Sequence, residues 1–261
     1  MTTMHYKTII EQKRLGYTII TMNRPREMNA LSQEMRREIQ CCFTSLAEDS
    51  ETSAVILTGG DYIFSAGMDV KEMMLLTSDG IDDYFKSISE YLKQIYNFHK
   101  PVIAAVGGIA LGGGFNLATV CDIIIASESA IFSHPELKFG LNPLFTPLKE
   151  LVGTAKAKEI TMIGEPIAAN EALRIGLANK VVPPDRLMAE AIIMAEELSH
   201  RSIRAIEAVK KISHLCQQMD TASLLDIEFG LTALLFSRPE RQRHMADFLD
   251  KLKKNKENKS I

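Results

Sequence analysis

Three stretches of the 261-residue sequence carry residue types that chemistry uses. The first is Phe64-Ser65-Ala66-Gly67-Met68-Asp69-Val70-Lys71, just after an AVILTGG run. The second is Gly112-Gly113-Gly114-Phe115-Asn116, after PVIAAVGG. The third, His134-Pro135-Glu136, follows DIIIAS and Ala130–Phe132 and ends in a carboxylate. Each lies past the C-terminal end of a strand-like run, where α/β folds place their ligands. Turns rich in small residues leave main-chain N–H groups uncovered, and a helix starting at such a turn adds partial positive charge. Two such N–H groups converging from two turns would form an oxyanion hole.

The same residues exclude several other sites. A dinucleotide fingerprint needs a third glycine where Leu117 stands after Gly112 and Gly114. No glycine loop continues into Lys and Ser or Thr, so the phosphate loop of nucleotide hydrolases is missing, and no G-x-S-x-G marks a nucleophile elbow. His134-Pro135-Glu136 fits the H-x-E of zinc deaminases, but the P-C-x-x-C that completes that site is absent. No metal is expected.

Periodicity outlines the elements that must hold these turns. YKTIIEQ and YTIITM alternate with period two around Arg14–Gly16, a hairpin signal. Ser32 is an N-cap candidate for a helix on which Met35, Ile39, Phe43 and Leu46 recur at helical spacing. AVILTG (54–59), PVIAAVGG (101–108) and DIIIAS (122–127) are continuous apolar runs, as strands buried on both faces require. A long helix is expected from about Asp82 to Phe98 and a small-residue helix from Gly112–Gly114. From Thr154 the pattern is helical, with one short strand at NKVVP (179–183) and helical stretches near 185–198, 202–217, 222–236 and 239–252. The Met73–Leu76 run reads as ordinary core packing, with a pocket wall as the other option.

Hydrophobic residues make up 46% and charged residues 24%, which excludes disordered, collagen-like and coiled-coil chains. A net charge of −3 gives no reason to expect nucleic acid or anionic lipid as a partner, and the basic run Lys251 to Lys259 reads as a solvated tail. Pro101 to Cys121 carries no charge and is long enough to invite a membrane-span reading. Glycines 107, 108, 112, 113 and 114 and Asn116 suit a strand, a turn and a short helix better. Cys41, Cys42, Cys121 and Cys216 show no disulfide or finger spacing and read as reduced thiols of a cytoplasmic chain. The start, MTTMHYKTIIEQKR, has no secretory pattern.

FSAGMD resembles the F-x-A-G-x-D segment of the crotonase (enoyl-CoA hydratase/isomerase) superfamily, and ALGGGFNLATVCDIIIAS resembles its A-x-G-G-G-x-x-L-A-x-x-C-D-x-x-x-A signature. MNRPREMNAL, GEPIAANEALRIGLANKVVP (with Ala178 where the family has valine) and RQRHMADFLDK extend the likeness nearly end to end. The resemblance implies an α/β crotonase-like (ClpP/crotonase) spiral of strand-strand-helix units. Residues 1–195 would form the core with an acyl-CoA site, and 196–261 a helical trimerisation region. It further implies homotrimers or homohexamers, with CoA as part of the substrate and no separate cofactor. By matching position, the oxyanion donors would be the N–H groups of Met68 and Gly113, one such donor being worth roughly 10²–10³ in rate. CoA contacts would fall on Arg26, Met28, Ala66, Asp69, Val70 and Lys71, with Lys251 reaching from a neighbouring subunit.

The sequence departs from the hydratases of that superfamily where protons are moved. They resemble this chain but place glutamates at both Asn116 and Glu136. An amide orients a water or a carbonyl but takes up no proton near neutral pH, whereas a general base at Glu136 remains worth about 10²–10⁴. This favours a Δ3,Δ2-enoyl-CoA isomerase with Glu136 as the single acid/base and Asn116 touching substrate. Hydration by Glu136 alone, decarboxylation or hydrolysis of an acyl-CoA, and a non-catalytic acyl-CoA-binding subunit stay open. Leu144-Phe145-Thr146-Pro147-Leu148 replaces the glycines many members carry after Pro143, which is expected to narrow the acyl pocket.

Overall fold

The computed structural model describes residues 5–239 together with 241, 242, 245, 246, 249 and 250. In chain order the strands are β1 (Ile9–Arg14), β2 (Gly16–Met22), β3 (Thr52–Thr58), β4 (Ile63–Ser65), β5 (Val102–Val106), β6 (Ile109–Leu111), β7 (Ile123–Ser127), β8 (Ile131–Ser133), β9 (Ile167–Ala168) and β10 (Lys180–Val182). The helices are α1 (Gln33–Glu48), α2 (Val70–Met74), α3 (Ile81–Tyr96), α4 (Gly113–Thr119), α5 (Thr146–Ile163), α6 (Ala169–Arg174), α7 (Leu187–Ser199), α8 (Ile203–Leu215) and α9 (Thr221–Phe236).

The strands form two sheets. The larger has the order β1-β2-β3-β5-β7-β10, with β1 antiparallel to β2 and the remaining pairs parallel. The smaller has the order β4-β6-β8-β9, parallel except for β9. A spiral follows from this bookkeeping. Each of β3, β5 and β7 in the large sheet is followed by a short strand of the small sheet, β4, β6 or β8, and then by a helical turn or helix. The double glycines after β3 and β5 allow successive turns to stack: a Cβ on Gly108 would overlap the carbonyl oxygen of Tyr62.

Burial agrees with the sequence patterns. Strand β3 is covered on both faces: Val55 and Leu57 enter the main core with Met35, Ile39, Phe43 and Leu46 of α1, while Ala54 and Ile56 pack beneath α7. Ser32 caps α1 by accepting from the N–H of Met35. The uncharged stretch from Pro101 to Cys121 is spent on β5, β6 and α4, and no helix among the described residues is long and apolar enough to cross a membrane. Lys100, the residue before it, donates to the carbonyls of Leu46 (2.5 Å) and Asp49 (2.6 Å) at the C-terminal end of α1. Burial holds its ammonium below the usual lysine range.

Three expectations change. Helix α5 begins at Thr146, eight residues before Thr154, and bends at Gly153, so the bulky Leu144–Leu148 segment is its entrance. Leu148 is buried and Leu144 and Phe145 pack against the main core. The Met73–Leu76 run is not core: Met74 and Leu75 are each 82% exposed, because α2 is a short helix that buries little of itself. The compact units divide after Arg201 rather than at 195, since α7 runs through that point and buries Ala191 and Ala195 against the large sheet. The second unit, from Ser202, holds α8 and α9; residues 241, 242, 245, 246, 249 and 250 are also helical.

None of the four cysteines is in a disulfide; Cys42 and Cys121 are buried and Cys216 is exposed. Burial pushes the Cys42 thiol up to about 12, so almost no thiolate is available there at pH 8. In the native protein, a thiol reagent at pH 8 should label Cys216 first and Cys42 only after denaturation. Peptide mapping checks this; labelling of native Cys42 at the rate of Cys216 would contradict the packing of α1.

Candidate active site

The first turn of the site follows β4 and is fastened to the chain segment before α1. Ser65 Oγ donates to the carbonyl of Asn29 (2.8 Å) and accepts from the N–H of Gly67 (3.1 Å). The N–H of Ala66 donates to the carbonyl of Met28 (2.9 Å), and that of Leu31 to the carbonyl of Gly67 (2.8 Å). A trans peptide points its N–H opposite to its C=O. With the Gly67 carbonyl held by Leu31, the Met68 N–H faces the other way.

The second turn works by the same rule. The Gly112 carbonyl accepts from the N–H of Asn116 (2.9 Å) in the first turn of α4, so the Gly113 N–H points out of the helix start. A Cβ placed on Gly113 would stand 3.2 Å from the Met68 nitrogen, and one on Gly67 would stand 3.2 Å from the Gly113 nitrogen. The two expected donors therefore share one small patch.

Glu136 reaches the same patch from a third turn. It opens a 3-10 turn, Glu136–Phe139, immediately after β8, His134 and Pro135. Its Oε1 lies 3.3 Å from where a Cβ on Gly112 would be. Gly112 has φ 48° and ψ −117°, a conformation that strains any residue with a side chain. Glycine there gives the carboxylate room and lets the backbone turn into α4. Asn116 sits one turn along α4, and its Oδ1 and Glu136 Oε2 are both buried with no hydrogen-bond partner in the protein. Buried polar atoms of this kind are normally satisfied, which makes these two the natural contacts for a bound molecule.

The remaining expected residues divide into two groups. Met28 and Ala66 are brought together by their main-chain hydrogen bond, and Met28, Arg26, Val70 and Lys71 are exposed. Asp69 is turned inward: its carboxylate pairs with Arg24 Nη1 (3.0 Å) and accepts from the Lys71 N–H (3.1 Å), capping α2. Its side chain is thus committed to holding the turn. Lys251 lies outside the described residues.

Sequence reasoning missed the residues that tie the turns together. Asn29, in the left-handed region at φ 52°, donates from Nδ2 to the carbonyls of Gly59 and Ile63 (3.0 Å each) and accepts from the Arg24 N–H (2.9 Å). The signal was present, since Arg24 and Asn29 both fall within the MNRPREMNAL motif. The contact between His134 and Glu136 was also missed: His134 Nδ1 lies 3.3 Å from both carboxylate oxygens, with hydrogen-bond geometry to Oε1. Among the described residues no group of three or more His, Cys, Asp or Glu side chains is arranged to hold a metal ion.

A strand-strand-helix spiral with two converging main-chain donors beside a carboxylate is the arrangement of a crotonase-superfamily enzyme. Residues 12–259 match the enoyl-CoA hydratase/isomerase family, and the chain belongs to that family of acyl-CoA enzymes. It is 37% identical to a probable enoyl-CoA hydratase of Rhizobium meliloti (strain 1021), over 96% of this chain and 98% of the relative. It is 35% identical to a crotonyl-CoA hydratase of Syntrophomonas wolfei, over 97% and 98%. Among solved structures, enoyl-CoA hydratase from Bacillus anthracis superposes with a TM-score of 0.90 at 31% identity, over 94% of this chain and 97% of the other.

Replacing Asn29 by Ala removes three hydrogen bonds, among them its donations to the carbonyls of Gly59 and Ile63. Asn29→Ala should destabilise the protein by about 2–4 kcal/mol, on the scale of unmet buried groups. It should also lower kcat, because the turn carrying Met68 loses its tether. Denaturant unfolding and steady-state kinetics check both; unchanged values would mean that Asn29 does not hold the site.

Proposed function

We propose that the enzyme converts a 3-enoyl-CoA thioester to the conjugated 2-enoyl-CoA, with Glu136 as its single acid/base. The carrying observation is the pairing of one carboxylate, Glu136, with an amide, Asn116, beside the two main-chain donors. Glu136 takes a proton from C2 of the acyl chain. The negative charge moves to the thioester oxygen, where the N–H groups of Met68 and Gly113 receive it. Protonated Glu136 then returns the proton at C4, and the double bond shifts into conjugation. Asn116 orients the substrate. Arg26, Met28, Ala66, Val70 and Lys71, on and beside the turn that carries Met68, would contact CoA.

Hydration of a 2-enoyl-CoA is the second reading, favoured by similarity to proteins named hydratases. In that reaction Asn116 would orient the water and Glu136 would handle both protons. Assembly as a homotrimer or homohexamer and residence in the cytoplasm belong to the same proposal. Leu225, Phe229, Leu234 and Phe236 of α9, exposed in the single chain, support the assembly, and sedimentation of the purified protein tests it.

A paired assay tests the chemistry. A 3-enoyl-CoA in one cuvette and a 2-enoyl-CoA in the other are followed at the absorbance of the conjugated thioester. A rise in the first with little loss in the second supports isomerisation, and a fall in the second supports hydration. Silence in both would shift the reading to decarboxylation, hydrolysis or a non-catalytic acyl-CoA-binding subunit. Glu136→Gln should keep the fold and acyl-CoA binding while kcat drops about a hundredfold or more. Asn116→Glu, by adding a second carboxylate, should raise hydration relative to isomerisation.

A further inference from the structure

We propose that His134 is a positioning residue: its Nδ1–H donates to Glu136 and fixes the direction of that carboxylate over Gly112. The inference rests on the reading of Glu136 as the base. His134 is fully buried, and its Nδ1 stands 3.3 Å from both oxygens of Glu136. A ring nitrogen facing a carboxylate must carry a proton there, since a lone pair would meet lone pairs. The other nitrogen, Nε2, is buried with no hydrogen-bond partner in the protein. A proton on Nε2 would be an unmet buried donor, the costlier state. The geometry therefore puts the single ring proton on Nδ1.

The surroundings hold the imidazole still. Its ring stacks on Phe115 of α4 at a centroid distance of 4.5 Å and an interplanar angle of 30°, and Phe115 packs in turn on Phe132 of β8. The preceding residue, Ser133, accepts the Gly112 N–H (2.9 Å) and donates from Oγ to the carbonyl of Gly164 (2.9 Å). Backbone and ring are thereby both fastened to the strand and helix that build the rest of the site. Glu136 has no such clamp of its own. It sits in a 3-10 turn and is partly exposed, and a glutamate has several rotatable bonds. The H-x-E pair thus sets a fixed donor against a carboxylate that the backbone alone does not orient.

Two variants and one spectrum test this. His134→Leu removes the donor, and His134→Gln keeps an amide N–H of similar reach. With the enoyl-CoA that the wild type turns over, His134→Leu should lose about tenfold to a hundredfold in kcat, the scale of a misplaced catalytic group, with KM within about threefold. His134→Gln should recover to within about threefold of wild type. A folded His134→Leu protein with wild-type kcat, or a His134→Gln protein as slow as His134→Leu, would overturn the proposal. Should His134→Leu fail to fold, ¹⁵N NMR of the wild-type imidazole decides: a proton on Nδ1 supports the assignment, and one on Nε2 overturns it. Glu136→Gln separates the two readings. Wild-type turnover in Glu136→Gln would remove the base itself, whereas an inactive Glu136→Gln beside a fully active His134→Leu would sink only the positioning role.

Discussion

The hydrogen bond from the Leu31 N–H to the Gly67 carbonyl is the constraint on which the rest of the site depends. Because the peptide is planar and trans, holding one end of it directs the other. The Met68 N–H owes its direction to a residue well upstream in sequence. That contact exists only because Asn29, Ser65 and Arg24 bind the segment before α1 to the turn after β4. The second donor is directed by the first hydrogen bond of α4. One amide is thus aimed by long-range tethering and the other by local helix geometry. Their convergence depends on glycine at 113, where even a Cβ would stand against the Met68 side chain.

The two-sheet spiral makes such convergence possible. In each unit a long strand hands over to a short one, and the chain then leaves the small sheet at the same side. The turns after β4, β6 and β8 carry Met68, Gly113 and Glu136 respectively, so neighbouring short strands deliver the three groups as neighbours. The central strands β3, β5 and β7 of the large sheet, buried on both faces, give this arrangement its base.

Much of this was legible in the sequence, for physical reasons. Strands β3, β5 and β7 are continuous apolar runs that only double burial explains, and α1 announces itself through Ser32 and the spacing of Met35, Ile39, Phe43 and Leu46. The short strands were not legible individually, since two or three residues carry no measurable period. Asp69 was expected to contact CoA by its matching position in the family motif; its ion pair with Arg24, distant in sequence, exists only after β4 has been placed. Met74 and Leu75 looked like core because hydrophobicity alone does not reveal how short α2 is. The carboxylate of Glu136 was singled out from its motif, whereas its companion His134 was legible only as half of an unfinished metal signature.

Because the two donors that converge at the site are main-chain amides, the most demanding part of its geometry is written in the path of the backbone rather than in side-chain identity. Met68 can change its side chain without surrendering its N–H. Residue 116, by contrast, decides with a single substitution whether the same cradle sits beside one carboxylate or two. The fold therefore separates what the backbone fixes, the pair of converging donors, from what side chains can vary, the polar groups beside them. A lineage can change the chemical groups such a site presents by exchanging one or two side chains while the main-chain framework passes through unaltered.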